Sequence, residues 1–277
     1  MKNIENALER ARQSQMGGER PPLEQAGPVS VAPGPTLASA MPLKSVNLKK
    51  AHLEVNRICT YQAADPNAKP YEMLRTETLQ AMDLNSWQVL GITSPTPACG
   101  KTVTAINLAM SIANQSHRAA LIVDLDLQKP RIANYLGLPR ETGVLAVLGG
   151  KRTLREVTVR ATIEDISLDV LCCERAVQNS SSLMASRAMA ALLKDIRREF
   201  QDRTIVVDLP PILTGDDVLS IGKHLDCVLF VTAVRQTTIN QVKDCARYLE
   251  TVPVLKTVLN KATVSHAPYY YTRYSEL

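Results

Sequence analysis

The chain has 277 residues and a formal net charge of +5, and 45% of its residues are hydrophobic. This length suits one large domain or two small ones, and the hydrophobic fraction allows a sizeable core. The mild positive charge does not indicate a nucleic-acid partner. The six cysteines form no C-x-x-C pair, so we predict neither a disulfide framework nor a zinc site.

The first 46 residues differ from the rest in composition. Residues 1–16 carry a thin helical pattern, which predicts a short helix. Residues 17–46 contain six prolines and four glycines and are predicted to form a flexible linker. The remaining chain divides into a predicted folded domain, 47–265, and a tyrosine-rich tail, 266–277. No signal-peptide pattern and no membrane-spanning apolar run is found, so we expect a cytoplasmic location.

Within the predicted domain, apolar strand patterns alternate with helical patterns. Strands are predicted at 87–93, 119–126, 167–173, 204–209, 227–233 and 255–260, and helices near 47–58, 69–83, 102–115, 186–200 and 237–250. This alternation predicts an α/β fold with a doubly wound, mainly parallel sheet and helices on both faces. Ligands of such sheets bind at the carboxyl ends of the strands.

The first predicted strand of this series ends in TSPTPACGKT, residues 93–102. A loop that leads directly into a helix offers backbone N–H groups and the positive helix end to a phosphate. Lys101 can reach the β- and γ-phosphates, and the Thr102 hydroxyl can bind Mg²⁺. The predicted phosphate-binding residues are Pro97, Ala98, Cys99, Gly100, Lys101 and Thr102.

Polar residues also lie at the ends of three later strands. Asp124 and Asp126 lie at the end of the second strand, Asp208 lies in VVDLPP just before Pro210 and Pro211 stop the strand, and Asn260 ends VLN. Two acids separated by one residue point to opposite faces of a strand, so both can reach one site only if the strand ends there. Asn260 offers a donor and an acceptor to a nucleotide base edge.

The motifs SPTPACGKT, LIVDLDLQKPR and TIVVDLPPIL resemble the Walker A, Walker A′ and Walker B motifs of one family. This family is the bacterial tyrosine kinases of capsule and exopolysaccharide synthesis, P-loop proteins of the deviant-Walker group. The resemblance covers roughly residues 50–277. Partitioning-type relatives carry an extra lysine early in the phosphate loop, and its absence from SPTPA favours the kinase branch.

The resemblance implies ATP and Mg²⁺ as cofactors and a set of catalytic residues comprising Lys101, Asp124, Asp126 and Asp208. Thr102, Asp124 and Asp208 are the implied metal-binding residues. Either Asp124 or Asp126 could accept the proton of the attacking hydroxyl. The implied acceptors are the tail tyrosines, although packing of the tail on the domain is the alternative: Tyr269, Tyr270, Tyr271 and Tyr274.

The family also implies partners and a location. These are a separate membrane polysaccharide co-polymerase as activator, a homo-oligomer and a tyrosine phosphatase, with no nucleic acid. The protein would then be cytoplasmic and attached to the inner membrane through its partner. Two other functions remain open, a regulatory nucleotide-binding ATPase of an export complex with little kinase activity, and a partitioning-type ATPase.

Three departures from the family pattern bear on activity. Ala98 and Cys99 stand where the family has Gly-Glu, and alanine lacks the freedom of glycine at positive φ. Gln128 replaces an arginine of the Walker A′ motif. The family's oligomerisation pattern of one Glu and two Arg is represented by Lys69, Glu72 and Arg75, which puts assembly through that helix in doubt.

Overall fold

A computed structural model describes residues 42–62, 64–250 and 252–262. The predicted helix within 1–16, most of the predicted linker and the tyrosine-rich tail lie outside these residues.

One sheet runs through the described part of the chain, with strand order β1-β4-β5-β3-β6-β2-β7-β8. Neighbouring strands pair in parallel except β4 and β5, which form an antiparallel pair. The prediction of a mainly parallel sheet is therefore confirmed. The strands are β1 Lys44–Asn47, β2 Val89–Thr93, β3 Ala119–Asp124, β4 Val159–Ile163, β5 Ile166–Leu171, β6 Arg203–Asp208, β7 Cys227–Ala233 and β8 Val254–Asn260.

Helices cover both faces of this sheet. Successive residues of a strand enter different apolar clusters: Leu90 packs in one cluster, and Val89 packs in the other. This alternation follows the two-residue period of a strand buried on both faces. The helices are α1 Lys50–Val55, α2 Lys69–Leu84, α3 Lys101–Ala113, α4 Ile132–Leu136, α5 Val144–Leu148, α6 Leu154–Val157, α7 Ser180–Met184, α8 Arg187–Glu199, α9 Asp217–Ile221 and α10 Ile239–Ala246.

The structure corrects the sequence prediction at one boundary and adds two strands. Strand β1 begins at Lys44, so residues 44–46 belong to the sheet and not to the predicted 17–46 linker. Neither β1 nor β4 was predicted, because their pairing joins residues more than 100 positions apart, such as Lys44 and Val159. Among the described residues, no helix is both long and apolar enough to cross a membrane.

Candidate nucleotide site

The phosphate loop joins β2 to α3 at the centre of the sheet, since β2 lies between β6 and β7. Ala98 adopts a φ of 66° and Gly100 a φ of 96°. A left-handed backbone costs an L-residue roughly 1–2 kcal/mol, so the strain expected at Ala98 is present. A Cβ atom on Gly100 would clash with Asn260 Nδ2, so any other residue there would displace the Asn260 side chain as well as strain the backbone.

Two neighbouring segments hold the phosphate loop in place. Asn260 Nδ2 donates to the Cys99 carbonyl at 3.0 Å, and Gln236 Nε2 donates to the Pro97 carbonyl at 2.9 Å. Lys261 Nζ in turn donates to Gln236 Oε1 at 2.9 Å. Sequence reasoning missed Gln236 and Lys261, because a hydrogen bond to a backbone carbonyl leaves no motif.

Two predicted nucleotide ligands have different surroundings from those expected. The Cys99 side chain is buried, with its sulfur 3.6 Å from the hydroxyls of Thr96 and Thr237. Cys99 can therefore offer a nucleotide only its backbone. The Asn260 amide is engaged within the chain, because its Oδ1 also accepts from Lys261 N at 2.8 Å. Contact of Asn260 with a base edge stays a prediction.

The side chains of Lys101, Thr102, Asp126 and Asp208 meet at the carboxyl end of the sheet, as predicted. Lys101 Nζ lies 2.7 Å from Asp126 Oδ2 and 3.3 Å from Asp208 Oδ1. The Thr102 hydroxyl donates to Asp208 Oδ2 at 2.6 Å. All four side chains are buried, so their charges interact through a medium of low polarity.

Asp124 completes this cluster from the end of β3, in register with Asp208 at the end of β6. Its Oδ2 accepts from the backbone N–H groups of Arg131 and Ile132, both at 3.0 Å. Its Oδ1 is buried and has no hydrogen-bond partner among the described residues. Because β3 ends at Asp124, Asp126 is free of the strand's alternation and reaches the same site, which meets the condition set by the sequence.

Burial and the neighbouring charges shift the pKa values of the ionisable groups in the cluster. Burial, and then the charge of Asp208, raise the pKa of Asp124 to about 8. Burial also raises the pKa of Asp208, although Lys101 opposes this. Burial acts to lower the pKa of Lys101, but the charges of Asp208 and Asp126 outweigh it and raise that pKa.

The residues present fit a magnesium ion. The unpartnered Asp124 Oδ1 and the adjacent Thr102 and Asp208 oxygens supply hard oxygen donors at one place. The described residues contain no group of three His, Cys, Asp or Glu side chains arranged as a complete metal site. Mg²⁺ does not need a third carboxylate, because it binds through one or two carboxylates together with water and substrate phosphates.

A model of the ParA family, described as an NUBPL iron-transfer P-loop NTPase, matches residues 86–265. The chain belongs to the ParA family of P-loop NTPases. The fold of a P-loop NTPase implies use of a nucleotide and Mg²⁺. The predicted tail acceptors, Tyr269, Tyr270, Tyr271 and Tyr274, lie outside the described residues.

Relatives of this ParA-family chain carry the names of bacterial tyrosine kinases, which confirms the resemblance seen in the sequence. The putative tyrosine-protein kinase EpsB of Ralstonia nicotianae is 28% identical over 67% of this chain. The chain spans only 24% of that relative's length. The tyrosine-protein kinase YwqD of Bacillus subtilis is 28% identical over 80% of this chain and 92% of its own length.

Solved structures agree with these relatives. The chimerical protein CapA2B2 matches with a TM-score of 0.66 and 28% identity, over 79% of this chain and 93% of its own. The kinase domain of the Escherichia coli tyrosine kinase ETK matches with a TM-score of 0.62 and 27% identity, over 74% of this chain and 80% of its own.

Proposed function

We propose that this chain is an ATP-dependent tyrosine autokinase that transfers the γ-phosphate to tyrosines of its own C-terminal tail. The observation that carries the proposal is the buried cluster of Lys101, Thr102, Asp124, Asp126 and Asp208 at the end of the phosphate loop. Phosphoryl transfer depends chiefly on positioning and on neutralising charge, which this cluster supplies. The kinase names of the relatives and the four tail tyrosines support the same reading.

The surroundings of each side chain suggest a different role for it in phosphoryl transfer. Thr102 and Asp208 would hold Mg²⁺, which neutralises charge on the phosphates when it is bound, and Asp124 would complete its coordination through the unpartnered Oδ1. Lys101 now contacts Asp126 and would turn to the phosphates instead. That movement frees the Asp126 carboxylate to accept the proton of the attacking tyrosine, whose hydroxyl has an unperturbed pKa of about 10.

Asp126 is better placed than Asp124 to act as that base. Asp124 Oδ2 accepts both N–H bonds at the start of α4, and in this proposal its Oδ1 binds Mg²⁺. Asp126 has no such tie through Oδ2 once Lys101 moves away. We therefore propose Asp126 as the base, a choice that the sequence leaves open.

The test is mass spectrometry of the tail after incubation of the full chain with ATP and Mg²⁺. We expect phosphate on at least one of the four tail tyrosines in the unmodified protein and none in Lys101→Met or Asp208→Asn. Asp208→Asn is included because it removes one acid from the cluster and keeps Lys101 as the partner of Asp126. Equal tail phosphorylation in all three proteins would contradict the autokinase function.

A regulatory nucleotide-binding ATPase is the second candidate, and the strained Ala98 in the phosphate loop is the observation that favours it. In that case the chain would bind ATP and report occupancy to a membrane partner with little phosphotransfer. Tight binding of a fluorescent ATP analogue without any phosphotyrosine would support this candidate. Stimulation of ATP hydrolysis by DNA would instead support a partitioning-type ATPase.

The proposed setting is the regulation of exopolysaccharide or capsule polymerisation and export, at the cytoplasmic side of the inner membrane. A separate membrane co-polymerase would activate the kinase, a tyrosine phosphatase would reset it, and the chain would form a homo-oligomer. Within the described chain, Arg75 already bonds Ser111, at 3.3 Å to both its carbonyl and its hydroxyl, so Arg75 would have to leave this contact to join an interface. Light scattering of phosphorylated and unphosphorylated protein tests the oligomer.

A further inference from the structure

A buried carboxylate outside the phosphate-binding cluster joins three segments of the chain. Asp217, the first residue of α9, is 1% exposed. Its Oδ2 accepts from Gln128 Nε2 at 2.8 Å and from the hydroxyl of Ser180 at 2.9 Å. Its Oδ1 is buried and lacks a hydrogen-bond partner within the described residues. These contacts bridge 89 and 37 positions of sequence, so they fix tertiary rather than local structure.

Gln128 lies inside the turn that carries Asp126. The backbone N–H of Lys129 donates both to the Asp126 carbonyl at 3.1 Å and to Asp126 Oδ1 at 3.0 Å. The other carboxylate oxygen, Oδ2, meets Lys101 at 2.7 Å. The bond from Gln128 to Asp217 therefore anchors, from the protein interior, the turn whose carboxylate faces Lys101.

The energetics favour positioning over stability as the use of Asp217. A carboxylate taken out of water loses much of its solvation free energy, and two neutral donors return only part of it. The hydrogen bonds are directional, however, and fix the separation of the Walker A′ turn from α7 and α9. A neutral residue would satisfy the same two donors at a lower cost.

We propose that Gln128 and Asp217 are positioning residues for phosphoryl transfer: they hold the Asp126 turn so that its carboxylate lies at Lys101. The inference rests on the proposed kinase function for its chemistry. In this proposal Asp217 acts through Gln128 and does not touch the reacting atoms. Loss of the bond should therefore lower kcat while leaving the binding of ATP close to normal.

The decisive variants reverse the polarity of the bond. Gln128→Glu places a second carboxylate against Asp217, and we expect kcat to fall at least about tenfold, the rate equivalent of one lost hydrogen bond to a charged group. In Asp217→Asn the amide nitrogen can take the place of Oδ2, on which both bonds converge, and its two N–H groups can then donate to the introduced carboxylate and to the Ser180 hydroxyl, which also accepts. The double variant should recover kcat to within about threefold of the original, with KM for ATP within about threefold throughout.

The matched control is Gln62→Glu, which places a carboxylate beside Glu54, its present partner at 3.2 Å, on an exposed site. We expect it to leave kcat unchanged. Hydrogen exchange of residues 126–131 supplies a measurement independent of activity: exchange should accelerate in Gln128→Glu and return in the double variant. If Gln128→Glu is too unstable to purify, Gln128→Ala, which only removes the donor, takes its place and Asp217→Asn should then give no rescue.

Two results would overturn the inference. One is full kcat in Gln128→Glu or Gln128→Ala, and the other is a loss of kcat in Gln128→Glu that adding Asp217→Asn fails to repair although the melting temperature of the double variant equals that of the original protein. If the original protein makes no phosphotyrosine, the kinase proposal fails, and hydrogen exchange alone then decides the positioning role. Unchanged exchange of residues 126–131 in Gln128→Glu would reject that role too.

Discussion

Two buried carboxylates of the same sheet differ in how their charge is balanced. Asp169 on β5 lies between Arg160 Nε at 2.8 Å and Arg203 Nε at 2.5 Å. Asp124 at the end of β3 has two backbone N–H contacts on one oxygen, and within the described chain its other oxygen has none. Asp169 is balanced by the protein itself, whereas Asp124 belongs to a cluster of three acids around Lys101.

This difference separates structural from functional charge. A cation on each oxygen makes Asp169 a closed ion-pair network, so it offers nothing to a ligand. The cluster around Asp124 keeps unbalanced negative charge and raised pKa values, which is the condition that a divalent cation or a phosphate-bound metal relieves. The size of a nearby cavity does not separate structural from functional carboxylates, because a cavity of about 540 Å³ opens beside Arg160, Asp169 and Arg203.

Removal of one cation from each region gives the largest expected difference. Lys101→Met leaves three buried acids without their lysine and should lower the free energy of unfolding by about 3–5 kcal/mol at neutral pH. Arg203→Met should cost less, about 1–2 kcal/mol, because Arg160 still pairs with Asp169. Urea unfolding of both variants measures the difference, and equal losses would show that the two regions are balanced alike.

Gly100 tests whether the phosphate loop depends on close packing. In Gly100→Ala the new Cβ would meet Asn260 Nδ2, so either the Asn260 amide gives up its bond to the loop or the loop shifts, and we expect affinity for an ATP analogue to fall at least about tenfold. Gly150→Ala is the matched control, because Gly150 also has a positive φ, of 66°, but nothing lies within 4 Å of its added Cβ. Both variants should lose about 1–2 kcal/mol of stability from backbone strain, and only Gly100→Ala should lose affinity.

The unbalanced charge predicts a pH dependence of stability. Because the folded-state pKa of Asp124 is raised to about 8, the folded protein binds its proton more tightly than the unfolded chain does. This contribution is complete below the unfolded pKa of about 3.9 and is lost as pH rises through about 8. The free energy of unfolding of the original protein should therefore decline relative to Asp124→Asn, by up to about 1.4 kcal/mol per pH unit between pH 5 and 7.5.

Unfolding curves of both proteins across that range provide the measurement. The exposed Asp202→Asn serves as the control, since within the described part of the chain its carboxylate pairs with Arg203 and lies outside the Asp124 cluster. Parallel pH curves for the original protein and Asp124→Asn would show that Asp124 is not the source of the slope.

The sequence predicted the parts of this site that depend on local order along the chain. Lys101, Asp124, Asp126 and Asp208 could be placed together because each follows a buried strand, and parallel strands end at one edge of a sheet. The bonds from Gln236 to the phosphate loop and from Gln128 to Asp217 could not be predicted. Each joins loops far apart in sequence through a single polar side chain, and no periodic pattern marks such a pair.

The smallest expected effect concerns Ala98, and it tests whether the loop backbone is already arranged for phosphate. Glycine at φ 66° removes the left-handed penalty of alanine but adds chain entropy to the unfolded state, so Ala98→Gly should raise stability by about 0.5–1 kcal/mol. Arg235→Gly, at φ 60°, is the matched control outside the phosphate loop and should gain a similar amount.

The affinity of Ala98→Gly for an ATP analogue then tests whether the loop backbone changes conformation when a nucleotide binds. If Gln236 and Asn260 hold the loop in its binding conformation, the strain is the same with and without nucleotide, and Ala98→Gly should change the Kd by less than about twofold. A larger change would mean that the loop rearranges on binding. In the expected case, neutral hydrogen bonds fix the backbone of the site before a nucleotide binds. The charges of the site stay unbalanced until a metal and phosphates bind. The Asp169 network shows that the same sheet can balance a carboxylate fully where no ligand is to bind.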